Sequence, residues 1–127
     1  NEKNIKLNIT AVYSHHQTKK ILRMINKKTQ VIISIFAGRL GDSGKDPTST
    51  IKSSVSLSKR YKNVQILWAS TREALHYVKA KKLGCHIITM PPDIINKIES
   101  FGLTRKELSI KTVSGFLVDS KKSKFIL

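Results

Sequence analysis

The stretch Lys6-Leu7-Asn8-Ile9-Thr10-Ala11-Val12 opens a strand–helix unit that recurs along the chain. Side chains alternate faces along a strand, so Asn8 and Thr10 point the same way and the apolar residues between and around them point the other way. Ser14-His15-His16-Gln17 follows as a Ser-x-x-Gln capping box, a pattern typical of a helix start. This part of the sequence therefore predicts one strand and one helix, with two hydrogen-bonding side chains on one strand face.

The strand–helix pattern returns three more times. Later helix starts are predicted at Pro47, after the capping residue Asp46, and at two further capping boxes, residues 70–73 and 104–107. Strands are predicted near residues 6–12, 31–36, 64–69 and 86–89, and terminal helices at 92–101 and 104–116. Apolar strands separated by helices are typical of a parallel sheet that is covered on both faces.

Two α/β architectures fit four such units. A closed (β/α)₈ barrel needs eight units and roughly 250 residues, whereas a doubly wound domain uses four or five strands in about this length. We favour half of a (β/α)₈ TIM barrel over residues 1–127, because the chain enters a strand almost at once without Met and no Gly-x-Gly-x-x-Gly loop follows a strand. The two open edges of such a half-barrel lead us to expect the remainder of the barrel, or a second copy, as a partner.

Composition narrows the class of protein. The chain is 39% hydrophobic, enough for a core, and no segment approaches the roughly 20 apolar residues of a membrane span. The single cysteine, Cys85, provides no disulfide framework and fits a reducing compartment. We therefore expect a cytoplasmic protein without a membrane partner.

The net charge of +16, from 24 basic and 8 acidic residues, suggests an alternative function. Such a charge satisfies the first criterion for a nucleic-acid-binding protein. The lysines, however, are spread over every predicted helix, no nucleic-acid-binding motif is present, and aromatic residues make up only 6%. We keep a basic, non-enzymatic nucleic-acid-binding module as the alternative and do not expect nucleic acid as the main partner.

Four motifs in order along the chain carry a family resemblance. They are Asn8-Ile9-Thr10, Ser34-Ile35-Phe36-Ala37-Gly38-Arg39, Leu67-Trp68-Ala69-Ser70-Thr71-Arg72 and Gly84-Cys85-His86-Ile87-Ile88-Thr89-Met90-Pro91-Pro92. They resemble the fifth to eighth strand motifs of the transaldolase family, which includes transaldolases and fructose-6-phosphate aldolases. The resemblance covers nearly the whole chain and implies the C-terminal half of a (β/α)₈ barrel, followed by a C-terminal helix.

This resemblance implies transfer or reversible aldol cleavage of a dihydroxyacetone unit of a ketose phosphate, in the carbohydrate metabolism of the pentose phosphate pathway. Family members form a Schiff base on a fourth-strand lysine, whose motif would lie upstream of Asn1. Lys6, on a later strand, does not match it, so we expect these residues alone to be inactive, and an inactive barrel homologue stays open. The imine is the electron sink, so neither a metal nor an organic cofactor is implied. Relatives commonly form homo-oligomers.

The candidate substrate residues lie at strand ends. Asn8 and Ser34 supply the neutral donors and acceptors that a dihydroxyacetone unit needs, and the resemblance places both against it. It also makes Thr10 the catalytic residue that positions a water, and Phe36 an aromatic wall of the active site. On chemistry alone Phe36 fits the core equally well, and each polar residue could instead bond within the barrel.

A phosphate group is expected at the ends of the second and third strands. Arg39, Ser70 and Arg72 would offer two guanidinium groups, a hydroxyl and free helix N–H groups, a combination that suits a phosphate dianion. The resemblance assigns the same three residues to phosphate. The alternatives are that Ser70 only caps a helix and that Arg72 pairs with Glu73 or Glu107.

The four histidines do not indicate a metal site. They lack the cysteine or carboxylate spacing of metal ligands, and surface or strand-end positions explain them. They are His15, His16, His76 and His86.

Overall fold

The computed structural model describes residues 5–123, which divide into two compact units. The first unit runs through Asn96 and the second begins at Lys97. The strands are β1 Lys6–Val12, β2 Gln30–Ile35, β3 Val64–Trp68 and β4 Ile87–Ile88. The helices are α1 His15–Met24, α2 Ala37–Asp42, α3 Thr48–Ser58, α4 Leu75–Lys82, α5 Pro92–Lys97 and α6 Arg105–Ser123, with a 3₁₀ turn at Ile98–Ser100.

The first unit contains one sheet of four parallel strands in the order β1-β2-β3-β4. Each strand pairs with the next one along the chain, and helices connect them. Parallel strands need such crossover connections, and repeated βα units in sequential order build a barrel wall. The predicted α/β class and parallel sheet are confirmed, and the sheet is consistent with part of a TIM barrel; a closed barrel is not shown.

The hydrophobic core lies between the helices and one face of the sheet. Ile33 pairs with Ile66 and Ile35 with Trp68, so alternate residues of β2 and β3 point into this core. Its buried residues are Val12, Leu22, Val31, Ile33, Ile35, Ala37, Ile51, Val55, Val64, Ile66, Trp68 and Ala80. The opposite face of the sheet carries Asn8 and Ser34, so the core and the candidate site use alternate residues of the same strands.

Strand β1 changes its alternation at Ala11. The pairing of β1 with β2 shifts between Ile9 and Val12, and Ala11 has a left-handed φ of 57°. This extra residue is a β-bulge, which turns the following side chain to the opposite face. Val12 thereby enters the core at 3% exposure, whereas uninterrupted alternation would have placed Ala11 there.

The strand positions lie within two residues of the predicted ranges, and the helices differ more. A short helix, α2, directly follows Phe36, between the strand predicted near 31–36 and the helix start predicted at Pro47. Helix α4 begins at Leu75 rather than at the capping box of residues 70–73. The single predicted helix 92–101 is instead α5 followed by the 3₁₀ turn.

The second unit consists mainly of α6, which continues past the predicted end at 116. Its start is the capping box expected from the sequence: Thr104 N–H donates to Glu107 Oε2 at 3.1 Å, and Glu107 N–H donates to Thr104 Oγ1 at 3.1 Å. By its contacts α6 belongs to the second compact unit, and the assignment of residues 1–127 to one half-barrel domain stays a prediction. Within residues 5–123, none of the helices is long and apolar enough to cross a membrane.

Candidate active site at the carboxyl edge of the sheet

Asn8 and Ser34 lie next to each other at the carboxyl end of the sheet. Ser34 Oγ donates a hydrogen bond of 2.6 Å to Asn8 Oδ1. Ser34 is only 3% exposed, whereas Asn8 is exposed. The bond holds the Asn8 side chain by its oxygen, which leaves the amide N–H₂ directed away from Ser34 and able to donate to a ligand.

Thr10 lies two residues beyond Asn8, immediately before the bulge at Ala11. Its side chain is exposed, and strand alternation places it on the same face as Asn8. The pairing of β1 with β2 is regular as far as Ile9, one residue before Thr10. The water-positioning role of Thr10 stays a prediction.

Phe36 connects the end of β2 to α2 and contacts two neighbouring side chains. Its ring meets that of Tyr13 edge to face, with centroids 5.8 Å apart. The Arg39 guanidinium carbon lies 5.4 Å from the centroid of the Phe36 ring. This cation–π distance restrains an otherwise exposed arginine, so Phe36 helps to position Arg39.

Gly38 lets the first turn of α2 approach the loop after β3. A Cβ built on Gly38 would lie 1.4 Å from the carbonyl oxygen of Ser70 and 3.0 Å from Arg72 Cγ. Gly38 N–H also donates to the Ala69 carbonyl at 3.4 Å. The glycine between the strand and Arg39 is the sequence signal for this close approach.

The loop after β3 contains buried polar side chains without partners. Within residues 5–123, Trp68 Nε1, Ser70 Oγ and Thr71 Oγ1 are buried and form no hydrogen bond. Thr71 is 6% exposed, and Ser70 has a left-handed φ of 63°, a strained value for a residue with a side chain. Unsatisfied buried hydroxyls cost roughly 1–3 kcal/mol each, and such strain clusters at ligand sites. The loop therefore combines unpartnered buried hydroxyls with backbone strain, and its part in phosphate binding stays a prediction.

Arg72 forms an ion pair that the sequence did not indicate. Its Nε and Nη2 both lie 2.9 Å from Asp42 Oδ2, at the end of α2. The partners expected as alternatives were Glu73 and Glu107. Both side chains are about half exposed, so the pair is screened by solvent and contributes modestly to stability.

His76 contacts two residues that follow β3, Arg72 and Glu73. The sequence had suggested only a surface histidine at this position. The Arg72 backbone N–H donates to His76 Nδ1 at 3.3 Å, and His76 Nε2 lies 3.3 Å from Glu73 Oε1. Burial lowers the pKa of His76 below its usual 6.5, although Glu73 opposes the shift. His76 is therefore neutral at pH 7, with the proton on Nε2, so that Nδ1 can accept from the loop.

The predicted capping box at residues 70–73 is wrong, because its members have other roles. The Ser70 hydroxyl has no partner within the described chain, Glu73 approaches His76, and α4 begins at Leu75 without a side-chain cap. The helix N–H groups expected beside Ser70 therefore start several residues later. The three predicted phosphate ligands still lie on two adjoining segments, α2 and the loop after β3.

The described residues contain neither a thiol with a lowered pKa nor a cluster of metal-ligating side chains. Burial raises the pKa of the Cys85 thiol to about 11, so it is protonated at neutral pH and is a poor nucleophile. Across residues 5–123, no group of three or more His, Cys, Asp or Glu side chains is arranged to hold a metal ion.

Comparison with known proteins assigns a family. The family model described as transaldolase/fructose-6-phosphate aldolase matches residues 1–125. The chain is 33% identical over 122 residues to a probable transaldolase of Nitrosopumilus maritimus, covering 94% of this chain and 51% of the relative. It is 32% identical over 119 residues to a probable transaldolase of Sorangium cellulosum (93% and 51%) and 32% over 117 residues to one of Herpetosiphon aurantiacus (91% and 48%). The chain thus spans about half the length of these relatives.

Proposed function

The chain belongs to the transaldolase/fructose-6-phosphate aldolase family, and on this premise we propose that it takes part in transfer or reversible aldol cleavage of a dihydroxyacetone unit of a ketose phosphate. The substrate bond would be activated as an imine on a lysine outside these 127 residues. The imine withdraws electrons from the bond that breaks, so the proposal needs no metal or organic cofactor. The segment itself contributes substrate contacts.

Asn8 and Ser34 would bind the hydroxyls of the dihydroxyacetone unit. Their mutual hydrogen bond fixes the Asn8 amide, and a preformed donor loses little entropy when a substrate binds. Thr10, on the same strand face, would hold the water that accepts or supplies a proton. Phe36 would form an apolar wall and keep Arg39 in position.

The observation that carries the proposal is the close approach of Gly38 to the Ser70 carbonyl. It brings the helix of Arg39 against the loop of Ser70 and Arg72, beside the unpartnered Ser70 and Thr71 hydroxyls. A phosphate dianion supplies acceptors for both hydroxyls and for guanidinium N–H groups. Asp42 engages only Nε and Nη2 of Arg72, so Nη1 keeps its two N–H donors for the phosphate.

Ligand binding tests the phosphate assignment directly. Titration calorimetry of the 127-residue chain should detect fructose 6-phosphate and inorganic phosphate but not fructose. Arg39→Gln should weaken phosphate binding about tenfold, the effect of one lost charge-assisted contact. Arg105→Gln makes the same chemical change in the second unit and should leave the affinity unchanged. Equal losses in both variants would show diffuse charge attraction and contradict the assignment.

Borohydride trapping tests where the imine forms. We expect no covalent adduct when the 127-residue chain is treated with borohydride and fructose 6-phosphate, since the imine lysine lies outside it. A trapped adduct on Lys6 or any other lysine of this chain would contradict that part of the proposal.

The partner we propose is the remainder of the barrel or a second copy. Strands β1 and β4 form the two edges of the described sheet, and each leaves one row of backbone groups without a ladder partner. Addition of parallel strands at these edges would complete the wall around the Asn8 face. A cytoplasmic location also remains a proposal.

A further inference from the structure

Helices α1 and α3 enclose a basic groove on the helical side of the first unit. Its larger part, with a volume of about 390 Å³, is lined by Lys19, Arg23 and Arg60 together with Ser56 and Tyr61. A second cavity of about 300 Å³ shares Arg60 and Tyr61 with it. The second cavity adds Lys27 and Lys62. Five cations therefore line one continuous depression, which we call the α1/α3 groove.

The groove lies away from the candidate active site. Lys27 precedes β2 and Lys62 precedes β3, so the groove is beside the amino ends of strands whose carboxyl ends carry the active-site residues. The Asn63 amide donates to the Asn26 and Thr29 carbonyls at 2.9 and 2.7 Å, which joins the loops before these two strands. The groove is thus built on tied loops and packed helices.

No acidic side chain offsets the charge of these elements. Residues 15–30 contain five Lys or Arg and residues 48–64 contain four, and neither range contains Asp or Glu. Both ion pairs found in residues 5–123 involve other side chains. The groove cations are therefore not neutralised by any described part of the chain.

The helix dipoles do not cancel this field. Both helices end near the groove, at Met24 and Ser58, and a helix C-terminus carries partial negative charge worth about 0.3–1 kcal/mol against a nearby charge. One such end offsets a fraction of one cation, whereas five full cations line the groove. A concave surface with one sign of charge concentrates its field on an anion inside it.

We propose that the α1/α3 groove binds a small ligand that carries two or more adjacent phosphate groups. Two arginines among its cations suit this chemistry, because the planar guanidinium fork binds phosphate in a bidentate manner. Ser56 and Tyr61, which also line the groove, each carry a hydroxyl. The volume is that of a small-molecule site, for which about 300–1,000 Å³ is typical. Because Arg60 lines both cavities, a chain of phosphates that contacts Arg60 could also reach the other cations of each cavity.

Lysine footprinting tests this proposal with controls inside the same chain. The 127-residue chain is acetylated at physiological ionic strength with or without inorganic tripolyphosphate, and each lysine is read by mass spectrometry. We expect protection of Lys19, Lys27 and Lys62, and none of their exposed neighbours Lys20 and Lys59, which do not line the groove. Inorganic orthophosphate should protect them far less.

Matched variants test the same groove by affinity. Arg60→Gln should weaken tripolyphosphate binding about tenfold. Lys59→Gln removes one positive charge at the adjacent position outside the groove and should weaken binding less than about twofold. Lys19→Gln against Lys20→Gln gives a second matched pair on α1 if Arg60→Gln does not fold, as judged by circular dichroism. Equal protection of all lysines, no protection, or equal losses within each pair would overturn the proposal. Uniform protection by a short RNA with steep salt dependence, without selective tripolyphosphate binding, would replace it with nucleic-acid binding.

Discussion

The two ends of the sheet differ in whether their cationic side chains pair with other side chains. At the carboxyl edge each site arginine is restrained: Arg39 lies over the Phe36 ring and Arg72 is bound to Asp42. At the amino edge the cations of the α1/α3 groove form no ion pair within residues 5–123. The same polypeptide thus has a set of held arginines and a set of free cations, separated by the length of short strands.

This difference has an energetic meaning. A restrained arginine has already lost side-chain freedom, so binding an anion costs less entropy, but any anion must compete with its existing partner. Free cations near one another repel, and an anion that binds among them relieves the repulsion and stabilises the folded chain by mass action. The carboxyl edge is therefore suited to selective binding and the amino edge to avid binding of multiple charges.

The largest effect should come from removing the close approach that assembles the carboxyl edge. Gly38→Ala would place a methyl group against the Ser70 backbone, which cannot rotate aside as a side chain could. We expect a loss of about 3 kcal/mol or more in the free energy of unfolding, at the upper end of overpacking costs. Urea denaturation measures it, and phosphate affinity of any folded fraction should also fall.

Gly41→Ala is the matched control in the same helix. A Cβ at Gly41 meets no atom within 4 Å, and alanine favours a helix over glycine by roughly 0.5–1 kcal/mol. The control should be neutral or slightly stabilising. Should both variants lose stability alike, α2 itself is intolerant of substitution and the close approach is not what organises this edge.

A smaller effect, on phosphate affinity, is expected when the carboxylate that restrains Arg72 is removed. Asp42→Asn removes a negative charge that competes with phosphate for this guanidinium. Because exposed charge interactions are worth roughly 0.2–1 kcal/mol, phosphate affinity should rise by up to about fivefold. Calorimetric titration with inorganic phosphate provides the measurement.

Asp46→Asn removes the same charge elsewhere on this segment. Asp46 Oδ1 accepts a hydrogen bond from Thr48 N–H at 2.9 Å, and contacts to Thr48 lower its pKa, so this carboxylate belongs to the start of α3. Its variant should leave phosphate affinity unchanged. Weaker phosphate binding in Asp42→Asn would reverse our interpretation and make Asp42 a group that holds Arg72 in its binding position.

The smallest effect concerns pH. Burial lowers the pKa of folded His76, whereas the unfolded residue titrates near 6.5. At a pH between the folded and the unfolded pKa of His76, the unfolded state binds more protons than the folded state. The contribution of His76 to the free energy of unfolding is therefore fully present above pH 6.5 and is lost as the pH falls through the folded pKa. His76→Gln should remove this part of the decline in denaturation curves measured from about pH 8 to 5.

His16→Gln is the matched control, because His16 is exposed on α1. It should keep the decline of the unmodified chain. An unchanged pH profile in His76→Gln would mean that His76 titrates alike in the folded and unfolded states and does not hold the loop as a neutral base.

Local signals predicted much of the fold. The capping box Ser14–Gln17 forms as expected, with Gln17 N–H donating to Ser14 Oγ at 3.2 Å, since both partners are near in sequence. The strands follow from their apolar runs. Helix α2 was missed because residues 37–42 include two glycines, which disfavour helices locally; contacts with the loop after β3 lie far along the chain and leave no local pattern.

The candidate site was predicted less completely for the same reason. Alternation along β1 predicted that Asn8 and Thr10 share a face, whereas the hydrogen bond of Asn8 with Ser34 depends on the pairing of β1 with β2, which the pattern of one strand does not give. Ser70 was wrongly predicted as a helix cap. Its backbone is left-handed, its carbonyl lies against Gly38, and the nearby Arg72 N–H donates to His76, and none of these contacts leaves a local sequence pattern. Ion pairing of Arg72 with Asp42 bridges 30 positions, a separation at which single-sequence periodicity carries no information.

The bulge at Ala11 separates the regularly alternating part of β1 from Val12. Up to Thr10, alternate side chains of β1 lie on the sheet face that carries Asn8 and Ser34. Ala11 is the extra residue, and Val12 after it lies in the core. Deleting Ala11 would remove the extra residue, and uninterrupted alternation would then place Val12 directly after Thr10 and still on the core face beside Ile35, with Asn8 and Thr10 in their present orientation. The bulge therefore adds one residue between Thr10 and Val12 without changing the face of the sheet on which either side chain lies.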